Sequence, residues 1–121
     1  MTWNVVFDDD FAKEFKEFDK EVKIALRAMV LLLEDRGPEL GRPRADTLND
    51  SDYPNMKELR FDAADGVWRA AFAFDPERKA VILVAGDKSG TNEKKFYKKL
   101  INTADKRYKA HLKELEKKEK E

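Results

Sequence analysis

Cysteine is absent, and its absence removes disulfide frameworks, thiolate metal ligation and thiol catalysis. Histidine is nearly absent. His111 stands alone among charges, where it reads as a surface residue, and a single imidazole excludes an acid/base mechanism built on two. Long hydrophobic runs are missing too: the longest uncharged apolar stretch is AMVLLL, Ala28 to Leu33, far short of a membrane span. The opening MTWNVVFDDDF lacks the basic start and apolar segment of a secretion signal, so a cytoplasmic location with no membrane attachment is expected. Nor does charge of one sign dominate. The 25 basic residues balance 25 acidic ones, and any attraction to phosphate must come from a local cluster. With 121 residues the chain can bury one core, and a single domain over 1–121 is expected.

What is present is strongly periodic. TWNVVF alternates Trp3, Val5 and Phe7 against Asn4 and Val6, as a half-buried strand should. The next segment spaces Phe11, Phe15, Phe18, Val22, Leu26, Met29 and Leu33 by three or four residues, which is the period of a helix. Asp8 to Asp10 suit its start, and Gly37 with Pro38 stop it. Unbroken, that helix would be about 40 Å long, too long for so small a domain. A break at Phe18-Asp19 is therefore expected, with Asp19 capping the second half of a hairpin.

RGPELGRPRADTLNDSDYPN reads as one long irregular loop. Three strands follow in meander order: MKELRFD, VWRAAFAFD after the Asp65-Gly66 turn, and KAVILVAG after Asp75-Pro76-Glu77-Arg78. The stripe Tyr97, Ile101, Ala104, Tyr108, Leu112 and Leu115 then marks an amphipathic helix, capped by Thr91 or Asn92. Its charged end, 113–121, either continues as solvated helix or frays. The expected class is α+β in the order β-α-α-β-β-β-α, a mostly antiparallel four-stranded sheet with its helices on one face.

Period-two alternation assigns the strand faces. Trp68, Ala70, Phe72 and Phe74 share the core side, whereas Arg69, Ala71 and Ala73 share the other. Leu59 and Phe61 must join the core, which turns Glu58 and Arg60 toward Arg69 and leaves Lys57 nominally inward. With the helices on one side the second face is expected to stay open, so that Arg60 and Arg69 beside small Ala71 and Ala73 make a shallow positive floor suited to phosphate. The blander account pairs these arginines with Glu58 as a weak ion pair. AGDKSG, Ala85 to Gly90, sends Lys88 toward the same place, but it lacks the four-residue cradle of a P-loop. Tyr97 lies on the apolar stripe, with core packing as its default and a hydroxyl that could reach the open face.

The phrases GPELGRPRADTL, NMKELRF, VWRAAFAFDPERKAVILVAGDKSG and KKFYKKLINTADKRYKAHLKEL, in this order, resemble the RelE/ParE superfamily of bacterial toxins, in particular its HigB-like (phage-derived Gp49-like) branch. The resemblance covers nearly the whole chain. It implies the toxin component of a type II toxin–antitoxin system. In the nuclease branch it implies metal-free, cofactor-free cleavage of messenger RNA on the ribosome, by attack of the ribose 2′-hydroxyl on the adjacent phosphate. Carried onto this sequence, Arg69 would hold the scissile phosphate, Arg60 and Lys57 would assist, Lys88 would add a cation, and Tyr97 would stack on a base or relay a proton. The base could be Glu58, Asp87 or a lysine with a depressed pKa, such as Lys57 beside Arg60. A helix-turn-helix (HigA-like) antitoxin is the implied partner. Relatives that inhibit gyrase, or only bind an antitoxin, supply the alternative function. Zero net charge is a departure from ribosome-directed members, which tend to be basic.

Overall fold

The structure, a computed structural model, describes residues 2–120; Met1 and Glu121, the outermost residues of the expected domain, lie outside the described residues. The chain runs β1 (Asn4–Phe7), α1 (Asp9–Lys16), α2 (Lys20–Arg36), a 3-10 turn (Gly37–Glu39), β2 (Ala45–Thr47), β3 (Met56–Ala63), β4 (Gly66–Phe74), β5 (Lys79–Asp87) and α3 (Glu93–Lys120). No helix is long and apolar enough to cross a membrane, among the described residues.

The helical hairpin forms where expected. Asp8 caps α1, its carboxylate accepting from the Phe11 amide at 3.1 Å. Asp19 occupies the N-cap of α2 with extended backbone but its side chain accepts no cap bond, so its contribution there is conformational. Phe18 in the break meets Phe11 and Phe15 of α1 edge-on at ring-centroid distances of 6.1 Å, which packs the break against the first helix.

The sheet has the order β1-β5-β4-β3-β2. β1 is parallel to β5, and all other pairs are antiparallel. Five strands stand where four are expected. The fifth, β2, lies inside the segment read as loop, where Ala45, Asp46 and Thr47 pair with Leu59, Glu58 and Lys57. Three residues carry too little pattern to be recognised alone. They form a strand because β3 offers an unpaired edge beside them.

The helices do not share one face. Against one side of the sheet pack Phe11, Phe15, Leu26, Met29 and Leu33 of the hairpin, onto Leu59, Ala70, Phe72 and Ile82. Against the other pack Leu100, Ile101, Ala104 and Tyr108 of α3, onto Met56, Ala71, Ala73, Val81 and Leu83. Ala71 and Ala73 are therefore fully buried beneath α3 instead of flooring an open surface. Their small side chains allow the helix to approach closely. Each fully buried Leu or Phe contributes roughly 1.5–3 kcal/mol, so covering the second face outweighs leaving it to water.

Two polar clamps hold α3 in place. Arg107 donates to the Leu83 carbonyl at 2.8 Å and pairs with Glu14, with Asp8 at 3.8 Å; these neighbours hold its pKa above the usual guanidinium value. His111 sits 2.8 Å from the Asp75 carboxylate, whose other oxygen accepts the Glu77 and Lys79 amides at 2.9 Å. His111 is thus half-buried and engaged, not the free surface residue its charged surroundings suggest. Asp75, placed in a turn by its sequence, is what buries it.

Candidate functional site

At the end of the sheet where β3 and β4 turn, Arg60 and Arg69 are paired residues on neighbouring strands, on the α3 side. β5 supplies Gly86 opposite Arg69 and so places no side chain there. The space is taken by Phe96, whose ring would stand 3.1 Å from a Cβ on Gly86, and by Tyr97 next to it. The α3 N-terminus is thereby brought over the arginine pair. Asn92 caps that terminus, its side-chain oxygen accepting from the Lys95 amide at 3.1 Å.

Arg69 retains only 7% of its surface and Glu58 6%. A directed chain of bonds links them. The Arg69 Nε–H donates to the Tyr97 hydroxyl at 3.2 Å, and that hydroxyl donates to Glu58 Oε1 at 2.8 Å. Glu58 Oε1 is also 3.7 Å from Arg69 Nε. Arg69 Nη1 donates to the Trp68 carbonyl at 2.8 Å. Every side-chain donor sealed from solvent has a partner, among the described residues. Arg69 Nη2 has no hydrogen-bond partner among them, so it reaches the surface. Burial first, and then the Glu58 carboxylate, raise the Tyr97 pKa above the usual phenol value. The hydroxyl stays protonated at neutral pH and acts as a donor.

Lys88 meets a residue, Glu93, that the sequence did not single out. Lys88 Nζ is 2.9 Å from Glu93 Oε1, and the Glu93 carboxyl is held below its usual pKa chiefly by that bond, then by the charge of Lys88, and further by the charges of Arg69 and Arg60. Lys88 also stands 5.9 Å from the Tyr97 ring centroid. Glu93 is well exposed, its side chain retaining 68% of its surface. Glu93 is thus an exposed carboxylate bonded to Lys88 and within the field of Arg69 and Arg60. The only sequence signal for Glu93 was its place just after Asn92, in the first turn of the last helix.

The remaining candidates separate. Lys57 lies on the opposite side of the sheet, on the face of Leu59, because alternate residues of β3 face opposite ways. It does not join Arg60 and Arg69. Asp87 is engaged in holding turns: its Oδ1 accepts from the Val67 amide at 3.0 Å, the Ser89 amide at 2.9 Å and the Ser89 hydroxyl at 2.6 Å. These donors, the Ser89 hydroxyl foremost, hold its pKa below the ordinary aspartate value. A carboxylate so stabilised is a weak proton acceptor.

The lowered pKa of Asp87 also has a stability consequence. The folded state favours the ionised form, so the contribution is present above the unfolded pKa near about 3.9 and is lost as pH falls through the folded value. Asp87→Asn is expected to lower neutral-pH stability by about 1 kcal/mol, with the gap to the parent closing in strong acid. Urea unfolding midpoints at neutral and acid pH would check this, and a gap that persists unchanged in acid would refute the assignment.

Beside this cluster runs a groove of about 780 Å³ between β2 with its following loop and α3; Glu58, Tyr97 and Glu93 line it together with Asp46, Lys94 and Lys98. Glu58 and Tyr97 are therefore reachable from this groove, while Arg69 does not line it. No group of three or more ligating side chains suited to a metal ion occurs, among the described residues.

A mostly antiparallel sheet between a helical hairpin and a long helix, with cations gathered at the strand ends, defines the RelE-like class of fold. A solved structure of the Escherichia coli toxin RelE, a double mutant in the free state, superposes with a TM-score of 0.64 over 88% of this chain and 98% of that one, at 15% identity. The archaeal RelE–RelB complex from Pyrococcus horikoshii gives 0.53 over 75% of this chain and 100% of that one, at 16% identity. The family described as phage-derived protein Gp49-like matches residues 13–109, and the chain belongs to it. Two Mycobacterium tuberculosis proteins bear the toxin names HigB3 and HigB2. The first is 44% identical over 77% of this chain and 79% of its own length; the second is 39% identical over 81% of this chain but only 49% of its own length. The chain is accordingly a HigB-like member of the Gp49-like family with a RelE-like fold.

Proposed function

We propose that this protein is the toxin of a type II toxin–antitoxin system and that it cleaves messenger RNA on the ribosome. The observation that carries the reading is the pairing of Arg60 with Arg69 at the strand ends, beside the Arg69–Tyr97–Glu58 bond chain and the Lys88–Glu93 ion pair. A phosphodiester that displaces the exposed Glu93 side chain meets Lys88 within the field of the two arginines, and guanidinium forks suit phosphate oxygens in pairs.

The chemistry follows from the bond chain. The ribose 2′-oxygen attacks the adjacent phosphorus while the bond from phosphorus to the 5′-oxygen breaks, leaving a 2′,3′-cyclic phosphate and a free 5′-hydroxyl. Glu58 takes the 2′-hydroxyl proton, being a carboxylate at the groove that lacks the amide and hydroxyl donors engaging Asp87. Tyr97 gives its proton to the departing oxygen and recovers one from Glu58 along their 2.8 Å bond. Arg69, with Arg60 and Lys88, stabilises the charge that grows on the phosphoryl oxygens. The partner is an antitoxin that covers this groove or holds the protein off the ribosome, in keeping with the RelE–RelB complex among the similar structures.

Induced expression of the chain is expected to arrest growth and to create new messenger RNA 5′ ends, with Lys88→Ala reducing both. Arrest accompanied by DNA breakage and intact transcripts would refute the ribonuclease reading in favour of a gyrase-directed binder. No arrest at all would leave a domain that only pairs with an antitoxin.

A further inference from the structure

The chain is neutral as a whole, yet Lys94 to Lys113 carries eight basic residues against a single acidic one, Asp105. An equal excess of negative charge is therefore spread over the rest of the molecule. Helical geometry sorts this charge sharply. At 100° per residue, Lys95, Lys98, Lys99, Lys106, Lys109 and Lys113 fall within one face of α3, opposite the buried stripe of Ile101, Ala104 and Tyr108. All six lysines are exposed. None of them forms a salt bridge among the described residues. The one carboxylate in the segment, Asp105, borders this face beside Lys98 and Lys109 but is engaged elsewhere, accepting from the Ser51 hydroxyl at 2.5 Å and the Asp52 amide at 2.9 Å.

We infer that this face of α3 is a docking ridge for the phosphate backbone of double-helical RNA, adjoining at Lys98 the cleft where the single strand would be cut but running away from it along the helix. From Lys95 to Lys113 the ridge is straight and about 27 Å long, with lysines on nearly every helical turn. Such a row neutralises successive phosphates and releases their counterions. Its composition disfavours single-strand capture, which needs aromatic platforms for the bases: Phe96 and Tyr97 pack against the core cluster and Tyr108 is buried within it. Lysines as point charges, with few hydrogen-bonding groups among them, contact backbone and shape without reading sequence. The choice of RNA over DNA rests on the ribonuclease reading above, whereas the ridge itself does not. The local field also accounts for how a chain of zero net charge can approach a polyanion, since its charges are segregated rather than scarce.

The test uses the full chain and a fluorescent RNA duplex of about 16 base pairs, the span that one duplex-binding module covers, with anisotropy read from 50 to 200 mM salt. The variant is Lys99→Ala/Lys106→Ala/Lys113→Ala, which keeps a helix-favouring residue at each position and alters no group of the proposed cleft. The parent is expected to bind the duplex more tightly than a single strand of equal length. The variant is expected to lose about tenfold or more in affinity, its slope of log affinity against log salt falling by about 3. Unchanged duplex binding by the variant would overturn the inference, as would equal affinity for a DNA duplex. Loss of antitoxin binding with duplex binding intact would also overturn it, by assigning the ridge to a protein partner. Binding is read without cleavage, so failure of the ridge and failure of the nuclease remain distinguishable.

Discussion

Arg69→Ala is expected to reduce cleavage of ribosome-bound messenger RNA by about 10²–10³-fold, the usual loss when one preorganised donor to developing charge is removed. The prediction needs a control because Arg69 also has a structural role. Its removal leaves the Tyr97 hydroxyl without the Nε–H donor and the buried Glu58 carboxylate without its nearest cation. Breaking one side of a buried pair costs about 3 kcal/mol or more, so some loss of activity would follow from unfolding alone. Lys88→Ala and Arg60→Ala separate the two effects. Lys88 and Arg60 are only partly buried, and the Lys88 partner, Glu93, is exposed and readily hydrated. These variants should keep the parent's unfolding midpoint and still lose about tenfold or more in rate if each stabilises the same developing charge. If Arg69→Ala loses activity only in proportion to its unfolded fraction, while the other two cut at the parental rate, the cationic focus is not the catalytic site.

The second large effect lies far from the cleft. Gly37→Ala is expected to destabilise the fold by about 3 kcal/mol or more through two independent costs. Gly37 ends α2 with φ 55° and ψ −138°, a conformation that side chains resist, while its amide donates to the Leu33 carbonyl. A Cβ there would also lie 2.3 Å from the Trp3 indole nitrogen. The indole cannot easily retreat. Its backbone amide donates to the Glu34 carbonyl at 2.8 Å, its ring meets Phe74 edge-on at 5.4 Å, and Arg78 lies over it at 4.7 Å. Gly90→Ala is the matched comparison, because Gly90 has φ 71° but open space around its Cβ position. Only the backbone cost of about 1–2 kcal/mol applies there. Urea titrations of both variants would check the pair, and equal losses would show that contact with Trp3 adds nothing.

Much of the architecture is local and therefore legible in the sequence. The helix break at Asp19 follows from a period of three to four residues continued beyond the length a small domain accommodates. The meander follows from period-two runs punctuated by Asp65-Gly66 and Asp75-Pro76. The same alternation places Arg60 beside Arg69, and the structure pairs them. It also puts Lys57 on the other face, and only the resemblance to nuclease relatives kept that residue in the candidate set. The choice between Glu58 and Asp87 was beyond the sequence, because it depends on which donors surround each carboxylate: Ser89 and Val67 for one, Tyr97 for the other.

What the sequence by itself determined is the set of faces: which side of each strand and helix is apolar, and which charges lie opposite. Only the tertiary structure decided which faces meet. It sent α3 across the second side of the sheet, sealing Ala71 and Ala73, bringing Tyr97 between Arg69 and Glu58, and carrying Glu93 to the cations. It also recruited Ala45–Thr47 as a fifth strand. The physical reason is one of range. Side-chain periodicity is set by neighbours a few residues apart, whereas the layer that an amphipathic helix covers is chosen by the apolar area it removes from water along a chain path that no local pattern records.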